Sequence, residues 1–118
     1  YNQRFVDLER QVTTLQAKLK QQRAVIEQRK ESYDTSMTVL NDKIRDFNQR
    51  ATSGGFGSQQ QFQAERSQLQ AEGQRLNSQK AALLQQIDQY NADVEKMNAL
   101  GEQADRLSQS LDSQKAVE

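Results

Sequence analysis

Asp88, Asp93 and Glu95 crowd one stretch of the chain, a density of carboxylate oxygen that suits a hard cation. A calcium site needs such ligands on a short flexible loop, together with backbone carbonyls. No loop signal surrounds these three, and the ligand density of a calcium site is missing. The better reading is a solvated helix face. Lys18, Lys20, Arg23, Arg29 and Lys30 form a basic run, the chemistry that neutralises phosphates. Glu27 and Glu31 interleave with them, however, and the chain's net charge is zero. Pairing within the chain is expected, and no nucleic-acid partner. Histidine and cysteine are absent, which removes the imidazole base and the thiolate nucleophile and metal ligand. Gly54-Gly55-Phe56-Gly57 lacks the Lys-Ser/Thr and the preceding strand of a phosphate loop. No catalytic, cofactor-binding or metal residue is assigned, no cofactor is expected, and this chain is not read as an enzyme.

The elements that carry these residues follow from a repeat of seven. Phe5, Val12, Leu19, Ile26, Tyr33, Leu40 and Phe47 form one apolar stripe. Phe62, Leu69, Leu76, Leu83, Tyr90, Met97, Ala104 and Leu111 form another. Between them lies Ser53-Gly54-Gly55-Phe56-Gly57-Ser58. Facing stripe positions keep a constant sum if the chain folds back at Gly54-Gly55, so the stripes come level. Heptads of this kind define coiled-coil helices. Proline is absent, and good helix formers dominate. The fold class is therefore all-α: a long antiparallel two-helix coiled-coil hairpin.

The hairpin has a helix over 2–52, a glycine tip over 53–58 and a helix over 59–115. Gly54, Gly55 and Gly57 supply the turn, and Ser58 the N-cap of the second helix. Residues 1–53 carry ten Lys/Arg and seven Asp/Glu, against six and nine over 58–118. The surplus of +3 therefore faces −3, which favours pairing of the halves.

A second seam is uneven. The same register sets Leu8 level with Gly101, Leu15 with Val94, and Gln22 with Ile87. Nearer the turn it opposes Arg29 to Lys80, Ser36 to Gly73, and Lys43 to Arg66, and facing basic pairs cannot form a dry core. The apolar face there is expected to rotate toward Met37, Leu40, Ile44 and Phe47. Leu19, Ile26, Leu83, Ile87 and Tyr90 should form the best-packed section. Gly73 and Gly101 are either weak points or sites of close helix approach. Asn41, Asn48, Asn77, Asn91 and Asn98 each follow a stripe residue, either fixing register by amide bonds or reflecting composition. Phe56 is read first as a cap on Phe47 and Phe62, and second as an aromatic offered to a partner.

One good stripe buries little surface, so a partner is expected: a second copy, giving a dimer with a four-helix arrangement. The candidate partner surface is Met37, Ile44 and Phe56, near the tip. No run is long and apolar enough for membrane insertion. The chain opens at Tyr1 and closes inside a helical pattern at Ala116-Val117-Glu118, and it reads as a fragment of a larger protein.

The run Leu76-Asn77, Tyr90-Asn91-Ala92-Asp93-Val94, Met97-Asn98-Ala99-Leu100, Ala104-Asp105-Arg106-Leu107 resembles helical segments of certain bacterial exported proteins. Those proteins carry a matrixin-like zinc metallopeptidase domain, preceded by a non-catalytic helical region. The resemblance covers about residues 76–112. It implies a hairpin module of an envelope or periplasmic protein whose catalytic domain lies elsewhere in the parent. No His-Glu-x-x-His motif is present, so no metal ligand carries over. The architecture is also similar to the α-hairpins of periplasmic adaptor proteins, whose tips dock an outer-membrane channel. In those the Arg/Leu/Ser contacts lie near the tip, whereas Arg106-Leu107-Ser108 lies far from it. The function expected is a coiled-coil spacer or oligomerisation hairpin, with tip docking as the alternative.

Overall fold

A computed structural model describes residues 2–117. The chain is a two-helix antiparallel hairpin of α1, Asn2–Ser53, and α2, Gln59–Val117. Each helix is several times the usual globular length, made of straight-chain helix formers without a proline to break it. α1 runs one residue further than expected and α2 runs to Val117 rather than 115. Neither stretch contains a residue that would stop a helix.

The reversal is built from both helix ends. Gly54 takes φ +70°, the left-handed conformation that follows many helices. That turn lets the Gly55 N–H donate to the Arg50 carbonyl at 2.8 Å, closing a Schellman motif. Ser53 Oγ also donates back to the Gln49 carbonyl at 2.9 Å, one turn earlier. On the far side Ser58 caps α2: its Oγ accepts from the Gln61 N–H at 3.1 Å. Gln61 Oε1 in turn accepts from the Gly57 N–H at 2.9 Å. This is a capping box shifted one residue outward, since the usual acceptor target is the N-cap N–H itself.

The described chain forms two compact units. The first joins residues 2–26 with 86–117, and the second is Glu27–Gln85. In the first, Leu8, Leu19 and Ala104 are buried, with Phe5, Val12, Ile26, Tyr90, Met97 and Leu111 half-buried. In the second, Leu40, Leu76 and Leu83 are buried, with Tyr33, Phe47, Phe62 and Leu69 half-buried. The deepest apolar side chain is Leu8, at 4% exposure, outside the section expected to pack best. A leucine there sits on the stripe's flank, where the second seam is still apolar: Leu15, Leu100 and Leu107 are also half-buried in that unit.

The second seam departs from expectation near the turn. Arg29, Lys80 and Arg66 are exposed, and Lys43 reaches Glu72, Nζ to Oε1 3.2 Å, rather than facing Arg66. Arg50 likewise reaches Glu65, and in the first unit Gln22 reaches Asp93. The three pairs share one constant position sum, larger than that of the stripe. The helices therefore meet through two registers at once. The stripe register holds the apolar layer, and the flank pairs each α1 residue with an α2 residue three positions after a stripe residue. Like charges are thereby kept apart, and opposite charges or amides are brought together.

Candidate functional site

The first unit holds a polar layer centred on Asp93. This residue is 7% exposed, so the reading of a solvated face is corrected. Asp88 and Glu95 do remain exposed, on other faces of the helix. Burial of a carboxylate is unfavourable unless donors replace its water. Three do so here. Gln22 Nε2 donates to Oδ2 at 2.9 Å, Gln89 Nε2 to Oδ1 at 3.2 Å, and Lys18 Nζ lies 3.3 Å from Oδ2. The Gln22 hydrogen bond holds the Asp93 pKa below the usual aspartate range; burial opposes it, and Lys18 and Gln89 reinforce it. The Lys18 side chain stays half in water while its ammonium reaches the carboxylate. The basic run thus supplies an ion pair within the chain.

Two acceptors beside this layer lack donors among the described residues. Gln22 Oε1 and Gln86 Oε1 are both buried and unpaired. The Gln22 amide cannot simply turn over, because Asp93 only accepts and needs the Nε2. Gln22 and Gln86 also line a pocket of about 270 Å³ on the flank of the hairpin, together with Lys18, Gln21, Val25, Ile26 and Gln89. Val25 is 42% exposed at its rim.

The second unit ends in an aromatic cluster at the turn. The rings of Phe47, Phe56 and Phe62 lie with all three centroid separations at 5.2 Å, stacked or tilted in the attractive arrangements. Phe56 is folded back onto the other two, the first of the two readings above. Arg50 closes the cluster from outside. Its guanidinium carbon stands 4.9 Å from the Phe56 ring centre. Nη1 and Nη2 grip Glu65 at 3.0 and 2.7 Å, and Nε donates to Asp46 at 3.0 Å. The Glu65 hydrogen bond raises the Arg50 pKa, and the same bond lowers that of Glu65.

Arg50 escaped the sequence reading. Its signal was there: Asp46 sits one turn earlier, and Glu65 occupies the flank position that Glu72 and Asp93 share.

Of the residues expected to face a partner, Met37 is half-buried, Ile44 is 38% exposed, and Phe56 lies within the aromatic cluster. The Phe56 ring packs on Phe47 and Phe62, while Ile44 stands on an exposed face of α1. Gly54, Gly55 and Gly57 all lie in the turn. A Cβ at Gly73 or Gly101 would meet no atom within 4 Å, so close helix approach is not the reason for either glycine. Asn41, Asn48, Asn77, Asn91 and Asn98 are all exposed, which favours the compositional reading. Among the described residues no group of three or more His, Cys, Asp or Glu is placed to hold a metal ion. No helix among them is long and apolar enough to cross a membrane.

Comparison with known proteins finds no matching family model, no matching curated protein and no matching solved structure.

Proposed function

We propose that this chain is a non-enzymatic interaction module, a coiled-coil hairpin that associates with a second copy and spaces or gathers domains outside it. The observation that carries the reading is the thinness of its core. Among the described residues no side chain is fully buried, while Val6, Val25, Val39, Ile44 and Leu84 are each 38–51% exposed. The chain presents 9012 Å² of surface, where a compact monomer of 13.5 kDa presents about 6,500 Å². Burying part of that excess against another hairpin would supply the apolar contact that two helices alone lack. The resemblance to helical segments of exported metallopeptidase proteins supports an envelope setting for the parent protein.

Light scattering over a concentration series tests the reading. Mass should rise from one chain to two as concentration increases into about the micromolar range typical of modest interfaces. A chain that stays monomeric throughout contradicts it.

A further inference from the structure

The flank of the hairpin sorts charge by helix. Counted from Leu8 in steps of seven, every charged flank residue of α1 is basic: Arg29, Lys43 and Arg50. Counted back from Leu107 in the same steps, every charged flank residue of α2 is acidic: Asp93, Glu72 and Glu65. In the second unit Lys43 meets Glu72 at 3.2 Å and Arg50 meets Glu65 at 2.7 Å. In the first unit Asp93 accepts from Gln22. Farther from the turn the same positions are leucine on both helices, Leu8 and Leu15 on α1, Leu100 and Leu107 on α2. The Glu72 and Glu65 side chains are 23% and 30% exposed, so salt screens these pairs less than pairs on an open surface.

We infer that this flank is a pairing code, which makes α1 and α2 complements of each other in the antiparallel sense and bars each from its own kind. The stripe cannot supply that choice, because it is apolar on both helices and accepts any pairing. The flank rejects each alternative in turn. Two parallel α1 helices would set Arg29, Lys43 and Arg50 each against its own copy. Two parallel α2 helices would do the same with Glu65, Glu72 and Asp93. Antiparallel self-pairing with ends level is no better. It sets Lys43 and Arg50 against Leu15 and Leu8, or Glu65 and Glu72 against Leu107 and Leu100, and takes charge from water without a partner. Pairing α1 with α2 in parallel fails likewise, since Leu8 and Leu15 come level with Glu65 and Glu72. Only the antiparallel α1–α2 pairing joins leucine to leucine and base to acid. Specificity of this kind rests on the repulsive combinations as much as on the attractive one. The partner that fits α1 is thus the α2 of its own chain or, when a hairpin opens, that of a second copy, and never another α1. This rule governs the pairing of helices and stands apart from the self-association proposed above, which joins hairpins already closed.

Full-length chains test the code, and the absence of cysteine permits a disulfide readout. One chain carries Lys43→Glu, Arg50→Glu and Leu40→Cys, which makes both of its flanks in the second unit acidic. The other carries Glu65→Lys, Glu72→Lys and Leu69→Cys, which makes both basic. On mixing under mild oxidation, crosslinks between unlike chains should exceed those between like chains at least fivefold, well above the statistical excess. In about 1 M salt, where the screening length falls to about 3 Å, that excess should shrink toward the statistical ratio. Arg50 also holds the aromatic cluster, so a second pair of chains altered only at residues 43 and 72, with the same cysteines, repeats the measurement with the tip intact. Within one cysteine-free chain, Lys43→Glu combined with Glu72→Lys should recover most of the urea midpoint lost by either alone. A statistical ratio of crosslinks at low salt in both sets of chains overturns the code. So does an excess indifferent to salt, which would mean that shape sorts the helices. A sign-exchanged chain no more stable than the single inversions overturns it as well.

Discussion

Asp93 keeps a charge at 7% exposure because three donors converge on it from both helices. Its pKa is lowered chiefly by the Gln22 hydrogen bond, against the opposing effect of burial. The folded chain therefore binds this proton less readily than the unfolded chain does. The stability it contributes is fully present above the ordinary aspartate range, about 3.9, and is lost as pH falls through the lower folded value. Asp93→Asn should reduce the urea midpoint at neutral pH, and the gap to wild type should close progressively below that range. A gap of constant size on acidification would show that the charge is not what Asp93 contributes. Arg50 illustrates the opposite logic at the turn. It is only a third exposed yet never lacks an acceptor, because Asp46 and Glu65 flank its guanidinium and Phe56 offers its ring face.

At the scale of the elements, the helices are set by propensity and the turn by one backbone conformation. Gly54 has no close neighbour, so its requirement is the positive φ alone. Gly54→Ala should destabilise by about 1–2 kcal/mol, the cost of a left-handed L-residue. Gly73 and Gly101 sit in regular helix with open space around them. Gly73→Ala and Gly101→Ala should each raise stability by about 1 kcal/mol through propensity. Urea unfolding measures all three, at one fixed protein concentration so that any mass-action contribution of a dimer is compared at the same level. A loss on Gly73→Ala or Gly101→Ala would mean that the added methyl meets something in the assembled protein. The two helices and their Ser58 cap were legible in the sequence because heptad spacing and turn chemistry are local. The flank pairing was not. Lys43 with Glu72 and Arg50 with Glu65 depend on how α1 and α2 rotate about their own axes, and the stripe alone leaves that rotation open.

At the scale of the molecule, the antiparallel return makes a direct demand on distance. Leu40 is buried and Leu69 half-buried on facing stripes of the second unit. A chain carrying Leu40→Cys and Leu69→Cys should form its disulfide within one chain, in a yield that does not fall on dilution. Crosslinks found only between chains would mean that the helices pair with those of another molecule, as in a swapped assembly. Thinness acts at the same scale. A hairpin with six buried apolar side chains among the described residues, none of them fully enclosed, leaves Val6, Val25, Val39, Ile44 and Leu84 partly in water that a larger fold would cover.

The sequence by itself determined the helices, the place of the reversal and the faces that carry the stripes, because periodicity and glycine act through the nearest few residues. It also pointed to Phe56 as a cap, since three phenylalanines converge wherever the chain turns at Gly54. Only the tertiary structure decided the fate of the charges. Asp93 reads as one more solvated acid along the helix, and becomes a buried anion because α1 brings Gln22 and Lys18 to it. The apparent clash of Lys43 with Arg66 dissolves because a small rotation of each helix offers Glu72 instead. A carboxylate's environment depends on what stands across the seam, and no spacing along one strand of sequence contains that.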